Sequence, residues 1–303
     1  MGHDVLVVIG AGGIGQAIAR RQGSGKVVVL ADANAGTLES AARALREEGH
    51  CVAAHHVDVA WRQSVADLAQ TAAGLGPVTQ IVHTAGLSPA QASAAAILRV
   101  DLAGAAFMLE EFGQVVAHGG AGIVISSMAG YLAAPLDAEQ ESALAQTPAD
   151  HLLLLPFVNP EIVTDPTVAY GLAKRANQLR IQRASLTWGE HGARVNSISP
   201  GIVSTPMGRR ELESASGRFV RTMTDTSVIQ RLGTPDDVAS AAAFLLGPDA
   251  SFISGIDLLI DGGAVAAVRS DRLAVSADGW TPISAPIGRP TGAAPFRHAA
   301  DGS

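Results

Sequence analysis

The stretch VVIGAGGIGQAIAR, residues 7–20, decides the fold because a glycine turn in it joins an apolar run to a helical pattern. Gly10, Gly12 and Gly15 have the spacing G-x-G-x-x-G. The first glycine of that pattern allows a tight turn, the second lets a pyrophosphate approach the backbone, and the third lets the helix pack on the strand. A helix N-terminus also attracts phosphate through its free N–H groups and its dipole. The pattern favours dinucleotide binding at this turn, and the alternative is a glycine turn without a ligand.

Beyond this turn, apolar runs alternate with helical patterns along most of the chain. Such alternation indicates βαβ units and a parallel sheet, and near-continuous apolar runs suit strands that are covered on both faces. We therefore predict an α/β fold with a doubly wound, Rossmann-type parallel sheet, helices on both faces, and a single domain over residues 1–264. The predicted strands cover residues 4–10, 26–32, 51–59, 78–86, 120–127, 193–201 and 256–263, and the predicted helices cover residues 13–22, 34–48, 61–73, 92–117, 168–189 and 235–247.

Two segments do not follow the alternation. Residues 131–166 contain no Lys or Arg but six Asp or Glu residues, and two helix-start patterns in this segment predict a short helical excursion. Residues 265–303 are rich in Ala, Gly, Pro and Ser and lack a clear periodicity. This tail is either a mobile terminus or an arm that packs on a neighbouring subunit.

The composition argues against several classes of function. A net charge of −7 disfavours a nucleic-acid partner, which needs a basic surface. We see no uncharged apolar run long enough to span a bilayer and no signal-peptide pattern. Because Cys51 is the only cysteine, no internal disulfide can form, and we expect a cytoplasmic protein. The histidines lack metal-ligand spacing with Cys or acidic partners, so we expect no metal site.

Asp32 ends the second apolar run, 22 residues after Gly10. A carboxylate at this position accepts hydrogen bonds from the adenosine ribose and repels a 2′-phosphate. No Lys or Arg stands nearby in the sequence to hold that phosphate, so we predict NAD rather than NADP as the cofactor. In the alternative interpretation, Asp32 caps the helix that follows.

The chain has two tyrosines, Tyr131 and Tyr170, and two lysines, Lys26 and Lys174, and one of each stands four residues apart. Residues at that spacing share one face of a helix. A nearby ammonium lowers the pKa of a phenol from its usual value of about 10. Tyr170 could then act as the acid–base group of an alcohol–ketone redox reaction, a role worth about 10² to 10⁴ in rate. The alternative is a surface tyrosine beside a solvated lysine.

With its sequence context, this pair resembles the active site of the short-chain dehydrogenase/reductase family, and the resemblance covers about residues 4–264. It implies that Tyr170 and Lys174 are the catalytic pair, and that Ser127 in SSMAG holds the substrate oxygen, with Ser126 the weaker candidate. The motif HHVDVA is similar to the family's adenine contact, and SPGIVSTPM is similar to its contact with the nicotinamide carboxamide. The implied cofactor-binding residues are Gly10, Gly12, Gly13, Ile14, Gly15, Asp32, Asp58, Val59, Ala85, Gly86, Tyr170, Lys174, Pro200, Gly201, Val203 and Thr205.

Three positions depart from the family pattern. The glycine loop is one residue shorter than usual, so we expect altered contacts to the pyrophosphate. His83 and Thr84 replace two asparagines after the fourth strand; we interpret His83 as a structural histidine with satisfied hydrogen bonds, and a catalytic His83 is the alternative. Asp101 replaces an asparagine of the proton relay. It should stabilise the ammonium of Lys174 and weaken the field that acidifies Tyr170, so activity should need a more alkaline pH.

Ser127 and Tyr170 are 43 residues apart because residues 131–166 are inserted between them. The insertion is placed to wall or cover the substrate pocket, with LLLLPFV as its apolar lining and the acidic residues facing water. We therefore predict a neutral, largely apolar alcohol or ketone as the substrate. A lid without positive charge is a poor partner for coenzyme A esters or acyl-carrier proteins.

These patterns lead to the hypothesis of an NAD(H)-dependent oxidoreductase that interconverts a secondary alcohol and a ketone. By resemblance, the protein is a homotetramer or a homodimer. The competing hypothesis is a nucleotide-binding regulatory or scaffold protein with a degenerate site. His83 and Asp101 favour that second hypothesis, and the intact Ser127, Tyr170 and Lys174 oppose it.

Overall fold

A seven-stranded parallel sheet forms the centre of the computed structural model, which describes residues 3–214, 217–270, 273–276 and 279–282. The strand order is β3-β2-β1-β4-β5-β6-β7, and every neighbouring pair is parallel. The prediction of a doubly wound, Rossmann-type sheet is confirmed. The strands are β1 (Val5–Ile9), β2 (Val27–Asp32), β3 (Cys51–His56), β4 (Val78–His83), β5 (Val116–Ile125), β6 (Arg194–Pro200) and β7 (Asp257–Ile260).

Helices cover both faces of the sheet because alternate residues of the strands point to opposite sides. Val5, Val7 and Ile9 of β1 belong to one buried cluster, and Leu6 and Val8 belong to the other. The first cluster is completed by α3 (Arg62–Leu75), α4 (Ala94–Ile97), α5 (Ala105–Gly113) and α8 (Pro166–Glu190), and the second by α1 (Gly13–Gln22), α2 (Ala35–Glu47) and α11 (Pro235–Leu246).

The strand order reverses between β1 and β4, because the chain returns from β3 to the other side of β1. In open α/β sheets, ligands bind in the crevice outside the carboxyl ends of the strands at such a switch point. The glycine turn follows β1, His83 ends β4, and Ser127 follows β5. The candidate residues from widely separated parts of the sequence are therefore brought to one edge of the sheet.

The long helix predicted over residues 92–117 is divided by a π-helical turn. This turn covers Leu98–Gly104 between α4 and α5 and contains Asp101. A π-turn inside an α-helix is rare and occurs often at functional sites. Here it faces α8, the helix that carries Tyr170 and Lys174.

The insertion forms α6 (Ala129–Leu132) at its start, α7 (Ala138–Gln146) and a 3₁₀-helix (Ala149–Leu154). Asp137 and Gln140 form a capping box at the start of α7, as their spacing predicts. Arg180 of α8 fastens the insertion to the domain, because its guanidinium donates hydrogen bonds to the carbonyl oxygens of Leu144 (3.0 Å) and Thr147 (2.8 Å).

The remaining α-helices and strands follow β6 in the described chain. Beyond β6, α9 (Pro206–Glu213) and α10 (Gly217–Thr226) lead towards α11, and α12 (Ala264–Arg269) follows β7. An antiparallel hairpin of β8 (Leu273–Ser276) and β9 (Gly279–Pro282) begins the tail. The prediction of an arm falls mostly on residues 283–303, which lie outside the described residues.

Candidate active site

The glycine turn has the backbone geometry that a pyrophosphate site requires. Gly10 has φ +106°, a left-handed conformation that favours glycine. A Cβ atom on Gly15 would run into the carbonyl oxygen of Gly10, so helix α1 can approach β1 only with glycine there. A Cβ on Gly12 would instead meet no atom within 4 Å. This open space lies at the N-terminus of α1, where a phosphate is favoured, so the turn fits a dinucleotide.

Asp32 lies at the carboxyl end of β2 and supports the turn. Its carboxylate accepts hydrogen bonds from the backbone N–H groups of Ala11 (2.7 Å) and Asn34 (2.8 Å). The cap of α2 is Asn34, whose side chain accepts from the Thr37 N–H. The alternative interpretation of Asp32 as the helix cap is therefore wrong. Each carboxylate oxygen keeps a lone pair for a ribose hydroxyl.

The other expected cofactor residues lie along the carboxyl edge of the sheet. Thr205 caps α9 by accepting the Gly208 N–H (3.1 Å), and its methyl group lies beside Gly13 of the glycine turn. Val203 is buried, and Gly201 packs so closely on Asp261 that a Cβ atom would lie 2.8 Å from the Asp261 Cα. The remaining predicted cofactor residues lie just after the carboxyl ends of strands, or in one case at the end of a strand. Ile14 follows β1, Asp58 and Val59 follow β3, Ala85 and Gly86 follow β4, and Pro200 is the last residue of β6.

The Tyr170–Lys174 pair lies on the second and third turns of α8. Asp165 begins this helix by accepting the N–H groups of Thr167 and Val168. The ammonium nitrogen of Lys174 lies 5.3 Å from the centre of the Tyr170 ring. Lys174 is only 5% exposed, so it is not a solvated surface lysine. The structure thus brings the two groups together as their spacing predicts.

Asp101 forms an ion pair with Lys174, with 3.0 Å between Oδ2 and Nζ. The other carboxylate oxygen accepts the Leu87 N–H (2.8 Å), and the Asp101 carbonyl accepts the side-chain amide of Asn177 (3.0 Å). Gly86 passes beside this pair, and a Cβ atom there would lie 2.9 Å from the Asp101 carboxylate. The π-turn, the loop after β4 and α8 therefore meet at one buried ion pair.

The charges of this site act on the phenol in opposite directions. Burial raises the pKa of Tyr170, the Lys174 ammonium lowers it, the Asp101 carboxylate raises it, and a hydrogen bond with Ser127 lowers it; the net direction is upward. Burial also works to lower the pKa of Lys174, but Asp101 and Tyr170 outweigh burial and raise it. The lysine therefore stays an ammonium, while the phenol resists losing its proton.

The two serines after β5 have different roles. The Ser126 hydroxyl donates to the backbone carbonyl of Lys174 (2.8 Å) and is buried, so it ties α8 to β5. The Ser127 hydroxyl accepts the Ala129 N–H (3.1 Å) and shares a hydrogen bond with Tyr170. Ser127 is half-buried and can reach a ligand. Of the two candidates, Ser127 is the one beside the phenol.

His83 and Thr84 differ in their surroundings. The Thr84 hydroxyl donates to the carbonyl oxygens of Ile9 (3.2 Å) and Gly10 (2.9 Å) and so joins β4 to the glycine turn. His83 is 1% exposed, and neither of its ring nitrogens has a hydrogen-bond partner among the described residues. Burial, with a smaller effect of Lys174, lowers the pKa of His83 to about 3. The interpretation of His83 as a satisfied histidine is therefore wrong, because this neutral ring is buried without partners.

The apolar run LLLLPFV packs partly inside the domain. Leu152 and Val158 are fully buried in the same cluster as α5 and α8, whereas Leu154 is 71% exposed. The expected apolar lining is thus wrong for Leu152 and Val158, because the insertion needs its own core to hold α7 on α8. Glu141 pairs with Arg175, and Asp150 pairs with Arg62 at the surface.

Two features of the site were not predicted. Glu211 of α9 raises the pKa of Tyr170, so its charge reaches the phenol. The Tyr131 hydroxyl donates to Asp257 (2.7 Å), 126 residues away in the chain. The only available signal for Glu211 was its place a few residues after the SPGIVSTPM motif, since α9 buries none of its residues. For Asp257 the sequence carried no signal, because the contact exists only once β7 joins the sheet.

Comparisons with known proteins agree with this geometry. Residues 4–138 match the family model described as short chain dehydrogenase, and residues 138–265 match one described as enoyl-(acyl carrier protein) reductase. A short-chain dehydrogenase/reductase, bsc3, of Alternaria brassicicola is 43% identical over 272 residues, which are 89% of this chain and 99% of that protein. The galactitol 2-dehydrogenase (L-tagatose-forming) of Cereibacter sphaeroides is 30% identical over 84% of this chain and 92% of its own length.

Solved structures show the same fold. A short-chain dehydrogenase/reductase of Serratia marcescens superposes with a TM-score of 0.67 at 24% identity, covering 88% of this chain and 98% of that one. Within the described part of the chain, no helix combines the length and the apolar character that crossing a bilayer requires. The same residues contain no group of three or more His, Cys, Asp or Glu side chains that could hold a metal ion.

Proposed function

Because this chain belongs to the short-chain dehydrogenase/reductase family of oxidoreductases, we propose that it interconverts a secondary alcohol and a ketone with NAD(H). The observation that carries this proposal is the buried Lys174 ammonium, 5.3 Å from the ring of Tyr170, whose hydroxyl shares a hydrogen bond with Ser127. In a surface tyrosine with a solvated lysine, these three groups would not converge.

Each of these groups has one task in the reaction. Ser127 donates a hydrogen bond to the substrate oxygen, and Tyr170 takes the hydroxyl proton in oxidation or returns it in reduction. Lys174 stabilises the phenolate through its positive charge. Asp101 keeps Lys174 protonated through their ion pair, and we assign it the place that an asparagine has in the family's proton relay. A bound nicotinamide supplies the hydride acceptor or donor.

NAD is the proposed cofactor because Asp32 is held at the tip of β2 by two backbone hydrogen bonds. In this position its carboxylate can bind the ribose hydroxyls and would repel the 2′-phosphate of NADP. The turn at Gly10–Gly15 would hold the pyrophosphate, in a loop one residue shorter than is usual for the family.

Asp32→Asn tests this cofactor choice because the amide keeps one acceptor oxygen and removes the charge. We expect the wild type to bind NADH more tightly than NADPH in a fluorescence titration. The substitution should reduce this preference about tenfold or more. Tighter binding of NADPH by the wild type would overturn the choice of NAD. Glu39→Gln on the exposed side of α2 is the matched control, and it should leave the ratio unchanged.

The proposed substrate is a neutral alcohol or ketone with a largely apolar body. Met128 and Leu132, which follow Ser127 in the chain, pack against a buried cluster that contains Met223, and we propose that they make one side of the substrate pocket apolar. The residues that follow Val158 return the chain to Tyr170, and we propose that they form a wall of the pocket. A screen of secondary alcohols and ketones with NAD⁺ or NADH, followed by NADH absorbance, tests the activity.

The scaffold hypothesis makes the opposite prediction in the same screen. A protein that only binds the dinucleotide would titrate with NADH and turn over no alcohol or ketone at any pH. The ion pair of Asp101 with Lys174 opposes this hypothesis, because it keeps the lysine charged instead of removing it from the site. A cytoplasmic location and a homotetrameric or homodimeric assembly remain proposals of this family assignment.

A further inference from the structure

Helix α9 crosses above the reacting centre. Its first turn starts at Thr205, whose methyl group lies beside Gly13 of the glycine turn. Its last turn reaches the loop after β4, where the Ala90 N–H approaches Glu211 Oε1 at 3.4 Å. The helix therefore spans the crevice between β1 and β4, from the proposed cofactor turn to the loop that carries Leu87 and Ser88.

Glu211 is a half-buried carboxylate whose Oε1 lies 3.4 Å from the backbone nitrogen of Ala90, in the loop after β4 that also carries Leu87. Its negative charge raises the pKa of Tyr170. Of the α9 side chains, Glu211 is the one whose charge is found to act on this phenol. None of the ion pairs among the described residues involves Glu211. Among the described residues, the long contact with Ala90 is the only hydrogen bond to its carboxylate, which leaves acceptor capacity for a ligand.

An apolar group of residues begins directly after Ser127 in the chain. Met128, Leu132 and Ile202 pack against the buried Met223, Ala264 and Ala267. A substrate that contacts both this group and Glu211 would place its hydrocarbon part against the apolar side chains and meet a carboxylate at its other end. A neutral hydroxyl is the group that fits there, since it can donate to a carboxylate. An ammonium is disfavoured because the Lys174 ammonium already lies in the same site.

We propose that Glu211 is a specificity-determining residue, which accepts a hydrogen bond from a second hydroxyl of the substrate. The preferred substrate class is then a diol or hydroxy ketone on an apolar skeleton. This inference rests on the proposed oxidoreductase function and specifies the substrate of the same site. A hydrogen bond to a charged acceptor strengthens binding about tenfold or more when the site excludes water.

Steady-state oxidation of cyclohexanol, cyclohexane-1,2-diol and cyclohexane-1,3-diol with NAD⁺ tests this role. We expect the wild type to favour one of the diols over cyclohexanol at least about tenfold in kcat/KM. Glu211→Leu should remove this preference, mainly through a higher KM for the diol. Glu211→Gln should keep most of it, because the amide oxygen still accepts a hydrogen bond. Glu213→Gln, on the exposed side of the same helix, is the matched control and should keep the full preference.

The outcomes separate this inference from the proposed function. Oxidation of cyclohexanol as efficient as that of both diols would overturn the role of Glu211 and leave the oxidoreductase proposal intact. An unchanged diol preference in Glu211→Leu, or an equal loss in Glu213→Gln, would overturn it as well. If no secondary alcohol in this set or in the wider screen is oxidised, the proposed function itself fails.

Discussion

Tyr131 and Tyr170, the two tyrosines of the chain, have partners of the same two kinds, a cation and a carboxylate, in opposite arrangements. Each ring has a cation over it: the Arg269 guanidinium at 5.6 Å from Tyr131, and the Lys174 ammonium at 5.3 Å from Tyr170. Each also has a carboxylate nearby. At Tyr131 the phenol hydroxyl donates a hydrogen bond to the carboxylate of Asp257 (2.7 Å), whereas at Tyr170 the carboxylate of Asp101 pairs with the lysine.

Whether the carboxylate contacts the phenol hydroxyl or the neighbouring cation determines whether the phenol can give up its proton. Burial and then the hydrogen bond to Asp257 raise the pKa of Tyr131, so that its proton is held in place. Asp257 also accepts the hydroxyls of Ser197 and Ser199, which makes Tyr131 part of a structural network. The hydroxyl of Tyr170 keeps only a neutral partner, Ser127, and can exchange its proton with a substrate. A tyrosine near a cation is therefore not enough to predict an acid–base group.

The largest effect expected from this comparison is on Tyr170→Phe. The substitution removes the hydroxyl that we propose moves the proton, so kcat should fall by about 10² to 10⁴. The pocket keeps its shape because phenylalanine differs only by the hydroxyl. Steady-state oxidation of the best alcohol from the screen measures the loss, and NADH titration checks that cofactor binding is retained.

Tyr131→Phe is the internal control for this experiment, since it removes the other phenolic hydroxyl of the chain. Its kcat should stay within about threefold of the wild type, because the Tyr131 proton is held by Asp257 and does not reach the substrate. Equal losses in the two variants would show that the two phenols are not functionally different, and the assignment of Tyr170 would then be abandoned.

Asp101→Asn should have a smaller effect, which appears in the pH profile. The Asp101 carboxylate raises the pKa of Tyr170, so proton abstraction by the phenol requires a higher pH. An amide removes this negative charge, and the rising limb of kcat/KM for alcohol oxidation should move to lower pH. The amide still accepts the Leu87 N–H and leaves Asn177 its backbone partner. A limb at the wild-type pH would mean that this charge does not act on the phenol.

Much of the fold followed from the sequence because strand and helix periods are local. The glycine turn predicted β1 and α1, and the four-residue spacing placed Tyr170 and Lys174 on one face of α8. The ion pair of Asp101 was expected by resemblance and is present at 3.0 Å. In each of these cases the relevant neighbours are close in the chain, or their separation is set by the sheet order.

The remaining features depend on contacts that local patterns do not encode. Leu152 and Val158 looked like a pocket lining, but apolar residues in an insertion must first form a core that attaches it to the domain. Glu211 lies on a helix without buried residues, so no periodicity marks it. The sequence also could not show that His83 is buried without hydrogen-bond partners. A histidine at the end of a strand gives the same sequence pattern whether or not its ring nitrogens are hydrogen-bonded.

Of these variants, Tyr131→Phe should have the smallest effect on turnover. It should still lower the free energy of unfolding measurably. Phenylalanine fills the same space and keeps the ring under Arg269, so the loss is confined to one hydrogen bond to a charged acceptor. A half-buried bond of this kind contributes about 1–2 kcal/mol to the free energy of unfolding. The midpoint of urea unfolding should fall with an unchanged slope, because the denatured state is unaffected. Tyr131 lies on α6, which follows Ser127, and its hydroxyl joins this helix to β7. If unfolding is unchanged while turnover falls by more than about threefold but clearly less than in Tyr170→Phe, Tyr131 positions Ser127, and the two tyrosines then belong to one functional network.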